Sequence, residues 1–174
     1  DFNVPLRKQT RKAASKQAVE YNYKIKAALP TIKYLLHKNC RIILATHLGR
    51  PQGFSSDLSI KPIAEELRRL LPKTKIILFD DCIGKDISER IKKEKPQAII
   101  ILENLRFYKE EEQNDPFFAH SLANLADLYV NDAFGVAHRK HASVDAIVQF
   151  LPSAAGLLFE KELHFLSEGL APKR

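Results

Sequence analysis

Arginines at 50, 106 and 139 each follow a short aliphatic run by a few residues. RIILAT (41–46) leads to His47 and Arg50, AIIIL (98–102) to Glu103, Asn104 and Arg106, and DLYVN (127–131) to Asp132, His138, Arg139 and His141. A guanidinium carries a permanent charge on a planar fork of donors. It grips phosphate or carboxylate through two parallel charge-assisted hydrogen bonds, which a lysine ammonium cannot do. Asp1 and Asn3, in the strand-like stub DFNVPL, add short polar groups beside them. The loop GRPQG (49–53), with two glycines and a proline, demands a tightly shaped backbone next to His47. Together these residues point to a site for a small, multiply charged anion. They do not point to a metal, because His47, His138 and His141 lack an i, i+4 pair and no second cluster of carboxylates accompanies them. Neither GxxxxGK[ST] nor GxGxxG occurs, so the chain has no recognisable nucleotide cradle. The run Glu110, Glu111 and Glu112 reads as a solvated face.

What positions such residues is an alternation of short aliphatic runs with longer amphipathic ones, the pattern of βα units on a parallel sheet. Strands are expected at 41–46, 75–79, 98–102 and 127–131. Helical spacing links Ile25, Leu29, Ile32, Leu35 and Leu36, then Ile63, Leu67, Leu70 and Leu71, then Ile87 and Ile91, then Phe118, Leu122 and Leu125. Asp115 followed by Pro116 is a helix opening, and Pro62 fits a first turn. Pro30 falls inside the first periodic stretch, so that helix either starts near Leu29 or bends there. After 141 the pattern turns helical through Val144, Ile147 and Val148, and again through Leu157, Leu158, Leu163 and Leu166. The basic run 7–24 has no large aliphatic before Val19 and is expected as an exposed loop or arm. In an open parallel sheet the ligand crevice lies beyond the carboxyl ends of the strands, which is where the three arginines fall.

The 174 residues suit one domain, and 45% hydrophobic with 28% charged residues is a globular composition. A net charge of +7 fits a phosphate-bearing small molecule, RNA or simple solubility about equally well. Cys40 and Cys82 are isolated, which fits a reducing compartment, and the chain is expected to be cytoplasmic. No apolar run approaches the roughly 18 residues of a membrane span, and neither a signal-peptide pattern nor a membrane partner is expected.

The strings DFNVPL, AALPTIKYLL, THLGRP, DCIG, ILENLRFYKEEE, LADLYVNDAFGVAHRKHAS and AAGLLFEKEL occur in an order, and over a span of the whole chain, that resembles the amino-terminal domain of phosphoglycerate kinase. The resemblance implies a Rossmann-like three-layer α/β/α lobe with a parallel sheet, one of the two lobes of a kinase. It implies that residues 1–174 are a fragment with a truncated first strand and without the carboxy-terminal nucleotide lobe. It further implies reversible phosphoryl transfer between 1,3-bisphosphoglycerate and ADP, giving 3-phosphoglycerate and ATP in glycolysis. Mg with ATP or ADP is expected on the other lobe, none bound here, and a monomeric protein with no nucleic-acid partner. By position, the substrate contacts it implies are Asp1, Phe2, Asn3, Lys24, His47, Leu48, Gly49, Arg50, Arg106, His138 and Arg139. In YKIKAALP (23–30), Lys24 stands where the family carries a catalytic arginine, and the segment before it is longer than usual. Lysine keeps the charge but loses the planar fork, so binding should survive better than transfer. Two other readings remain: a non-catalytic module for RNA or another anion, using the basic arm, and a paralogue that has lost its chemistry.

Overall fold

The structure is a computed structural model that describes residues 2–9, 16–20 and 22–170. Its centre is the aliphatic strand β5. In chain order the elements are a hairpin of β1 (Leu6–Gln9) and β2 (Lys16–Val19), then α1 (Tyr23–His37), β3 (Ile42–Leu44), α2 (Lys61–Leu70), β4 (Ile76–Leu78), α3 (Lys85–Lys93) and β5 (Ile99–Ile101). There follow α4 (Lys109–Glu112), α5 (Pro116–Ala123), β6 (Tyr129–Asn131), β7 (Ser153–Ala155) and α6 (Leu157–Leu170). The parallel order is β3-β5-β4, with Ile99 opposite both Ile42 and Ile76. Side chains alternate across a strand, so Ile99 and Ile101 enter one apolar core with Ile25, Ile32, Ile63 and Leu67, while Ile100 enters another with Ile87, Ile91, Phe118 and Leu122. All three isoleucines are fully buried, which is why this strand reads as a continuous aliphatic run. Helices α1 and α2 cover one face, α3 and α5 the other, giving the three-layer α/β/α arrangement.

All four expected strands form, in shorter versions, and so do the four helices. Asp115 caps α5 by accepting the Phe118 N–H at 2.8 Å, ahead of Pro116. Three expectations need correction. Of the two alternatives for α1, the start near Leu29 is ruled out, because the helix begins at Tyr23 and holds Pro30 in its interior. The 7–24 arm is not a loop throughout: β1 and β2 pair antiparallel, with Leu6 opposite Val19. Main-chain pairing needs no aliphatic signature, and one apolar pair at its base, packed on the core, anchors the hairpin. Finally, Val144, Ile147 and Val148 give only a 3₁₀ turn at Ala146–Gln149, after which the chain extends as β7 beside β6.

Between β3 and β6 the sheet is interrupted. A cavity of about 560 Å³ is lined by consecutive residues of both strands, Ile42, Ile43 and Leu44 on one side and Tyr129, Val130 and Asn131 on the other. Because alternate side chains point to opposite faces, an unbroken run along the wall means that the strand edges themselves face the gap. Helix α1 roofs it through Ile32 and Leu35, and Leu122 and Leu125 lie on the opposite side.

Candidate functional site

The loops leaving β3 and β5 are locked to one another by two side chains at the carboxyl end of β5. Asn104, fully buried, accepts the N–H of Leu48 at 3.2 Å and of Arg106 at 3.1 Å, and donates to the carbonyls of Leu48 at 2.8 Å and Leu58 at 2.9 Å. Glu103 accepts the N–H groups of Ile60 at 2.7 Å and Asn104 at 2.8 Å and the Ser59 hydroxyl at 2.7 Å. Sequence reasoning set both residues among the ligand-facing groups. Their hydrogen-bonding capacity is instead taken up in shaping the loop 46–60. Gly49 sits at φ 66°, and a Cβ there would press on Leu58 at 2.9 Å, so both its backbone conformation and its neighbours favour glycine.

On that scaffold the Arg106 side chain is buried. Its Nη1 donates to the Gly49 carbonyl at 2.7 Å, and Glu112 Oε1 stands 3.2 Å from Nε. That approach is close enough for ion pairing but not aligned as a hydrogen bond, so Nε and Nη2 remain buried without a hydrogen-bond partner. Burial holds the guanidinium below its ordinary pKa, and the positive charges of Arg139 and Arg50 press in the same direction, against Glu112 and Glu111. Arg106 therefore feels both of the other arginines. An unpartnered donor in the interior is costly, and a concentration of like charge adds to that cost. An anion would relieve both.

His47 is buried beside this cluster, and its pKa is pushed down to about 3, first by burial and then by Arg106, with Arg139 and His141 adding. His141 is also lowered, by burial and Arg106, with Arg139 and His138 in the same field. The site thus holds neutral imidazoles among permanent cations. For His47 the folded pKa lies below the unfolded one, so its contribution to stability is present above pH 6.5 and is lost as pH falls toward 3. Between pH 7 and 5 that loss is about 2 kcal/mol. Acid titration of thermal stability should show this limb in the native chain and a flatter one in His47→Gln.

Of the residues expected at the site, His47, Arg50, Arg106, His138 and Arg139 lie within one electrostatic neighbourhood, and Asn3 is tied to the loop that carries Arg50 by accepting the Gly49 N–H at 3.2 Å. The Phe2 and Leu48 side chains are core residues. Their main chains are bonded into the scaffold, Phe2 donating to Thr46 Oγ1 at 2.9 Å and Leu48 held by the Asn104 amide. Lys24 is half-buried in the first turn of α1, whose preceding residue Asn22 donates to Glu66 in α2 at 2.6 Å. Asp1 lies outside the described residues. Asp132 accepts the N–H groups of Leu158 at 3.0 Å and Phe159 at 3.2 Å, capping α6 from a distance. Glu111 reverses an expectation: far from solvated, it is buried and bonded to Ser143. A run of three glutamates carries no signal that its middle member turns inward. Among the described residues, no three or more His, Cys, Asp and Glu side chains are grouped to hold a metal ion.

The sequence matches the phosphoglycerate kinase family over residues 1–174. It is 49% identical to the phosphoglycerate kinase of Dictyoglomus turgidum and 48% identical to that of Moorella thermoacetica, over all of this chain and 42% of each relative. The crystal structure of the Pyrococcus horikoshii phosphoglycerate kinase superposes with a TM-score of 0.83 at 31% identity, covering 99% of this chain and 42% of that one. The chain spans about two fifths of the length of the relatives it matches.

Proposed function

Because this chain belongs to the phosphoglycerate kinase family, we propose that residues 1–174 form its amino-terminal lobe and bind 3-phosphoglycerate or 1,3-bisphosphoglycerate at the arginine cluster. The observation that carries this reading is the buried Arg106 guanidinium, with two hydrogen-bond donors unpartnered and two further arginines in its field. Arg50, Arg106 and Arg139 hold the phosphate that is not transferred, bidentate geometry fixing its orientation. Asn3, with Asp1, orients the glycerate end, neutral His47 adds hydrogen bonds without adding charge, and His138 adds a further hydrogen bond. Lys24 stands nearest the reacting phosphoryl group and supplies a point charge.

The whole reaction is the reversible transfer of a phosphoryl group between 1,3-bisphosphoglycerate and ADP. Such transfer asks the protein mainly for in-line placement and for fixed positive charge against the spread negative charge. Mg with ATP or ADP supplies the other substrate. The residues here do not fit it, since neither a phosphate-cradling glycine loop nor a grouped set of metal ligands occurs among those described. Nucleotide binding is therefore assigned to a carboxy-terminal lobe, and the chain alone is expected to bind phosphoglycerate weakly and turn over little. The gap between β3 and β6 takes a strand leading into Phe2, whose N–H is anchored on Thr46 at the end of β3. We place the protein in the cytoplasm, in keeping with two unpaired cysteines; no helix among the described residues is long and apolar enough to cross a membrane.

Calorimetric titration with 3-phosphoglycerate, beside a coupled kinase assay, tests the reading. Saturable one-to-one binding without kinase-level turnover is expected. Absence of binding, or RNA binding that falls steeply with salt and resists competition by phosphoglycerate, overturns it.

A further inference from the structure

Arg106 and Arg139 come from different loops, and one residue ties those loops together. The Glu111 carboxylate accepts the Ser143 hydroxyl at 2.6 Å and the Ser143 N–H at 3.0 Å, and its main-chain carbonyl accepts the Ala142 N–H at 2.9 Å. Three residues later Asn114 repeats the pattern, accepting the Ala146 N–H at 3.1 Å and donating to Asp145 at 2.7 Å. The segment 104–114 thus carries Arg106 near one end and a clasp at the other. The clasped loop carries His138, Arg139 and His141, and Glu111 Oε1 also lies 4.0 Å from His141 Nδ1.

A carboxylate is among the most expensive groups to bury, and it persists in an interior only where its hydrogen bonds are met. Every hydrogen bond described to Glu111 Oε1 and Oε2 comes from Ser143. A mere surface fastening would not require a buried charge 4% exposed beside a cluster of cations. The placement also gives Arg106 a negative neighbour, second to Glu112, against the charges of Arg139 and Arg50.

Resting on the phosphoglycerate reading above, we propose that Glu111 is a positioning residue: by clasping Ala142 and Ser143 it sets where Arg139 stands relative to Arg106, and so the geometry in which the two guanidiniums meet one tetrahedral anion. It touches no substrate itself.

A double-mutant cycle tests this, with 3-phosphoglycerate and, separately, inorganic sulfate as probes. Glu111→Gln should weaken binding of both about tenfold and speed amide exchange across 138–143 while β5 stays protected. Adding it to Arg139→Met should weaken binding no more than Arg139→Met alone, since a misplaced arginine and an absent one are then equivalent. Ser143→Ala, which keeps the carboxylate and removes its shortest bond, should give a smaller loss of the same kind, about threefold. Losses that simply add in the cycle, or faster loop exchange with unchanged anion affinity, overturn the proposal. Binding of sulfate but not of 3-phosphoglycerate overturns the functional reading and leaves this one to the sulfate cycle; failure to bind either anion overturns both.

Discussion

Arg106→Met is expected to lower affinity for 3-phosphoglycerate about a hundredfold while moving the thermal midpoint by no more than about 3 °C. The ligand loses the charge-assisted bonds that Nε and Nη2 are placed to make. The fold loses one bond, to the Gly49 carbonyl, and the pairing with Glu112, but it is relieved of two buried donors without partners and of repulsion from Arg139 and Arg50. Those opposing contributions nearly cancel, whereas nothing offsets the loss to the anion. The same substitution removes the largest charge acting on His47 and should raise its pKa. Calorimetry and a melting scan on the variant give both quantities. A large fall in stability with affinity intact would make Arg106 a structural residue and remove the basis of the site.

The second large effect concerns the interrupted sheet. Placing a five-residue aliphatic segment ahead of Asp1 should raise the melting temperature by about 10 °C, since each side chain buried contributes about 1.5–3 kcal/mol against an ordering cost of about 1–2 kcal/mol per residue. A strand covered on both faces calls for a continuous aliphatic run, so the control is the same segment with two prolines, which cannot complete the ladders and should leave stability unchanged. Amides of β3 and β6 should gain exchange protection only with the aliphatic version. An unchanged midpoint, or a dimer formed by a second copy filling the gap, would show that the cavity is not a place for that strand.

The parts of this fold that sequence made visible are those whose energetics are written in side-chain type. The strands β3, β4 and β5 are aliphatic because both faces are buried, and the arginines stand out because they follow such runs. The strand β7, made of Ser153, Ala154 and Ala155, is exposed and carries no large apolar side chain, and the β1–β2 hairpin pairs main chain to main chain, which no residue type announces. Glu103 and Asn104 were recognisable as polar residues near a site, and Glu111 read as part of a solvated face; none was recognisable as a fastening. The partners they tie across loops lie 32 to 56 residues away, a relation that only folding reveals. Lys24 remains the residue where sequence speaks most clearly about chemistry, because a lysine cannot reproduce the fork of an arginine however it is placed.

The crossed order β3-β5-β4 also bears on how the chain is made. Neither β3 nor β4 pairs with the other; each pairs with Ile99–Ile101, and β4 has no other ladder to join among the described residues. On the ribosome β4 emerges with an isoleucine-rich edge and no ladder to join until β5 has cleared the exit tunnel. Nascent chains halted before that point should engage holding chaperones, and those halted well past it should release them.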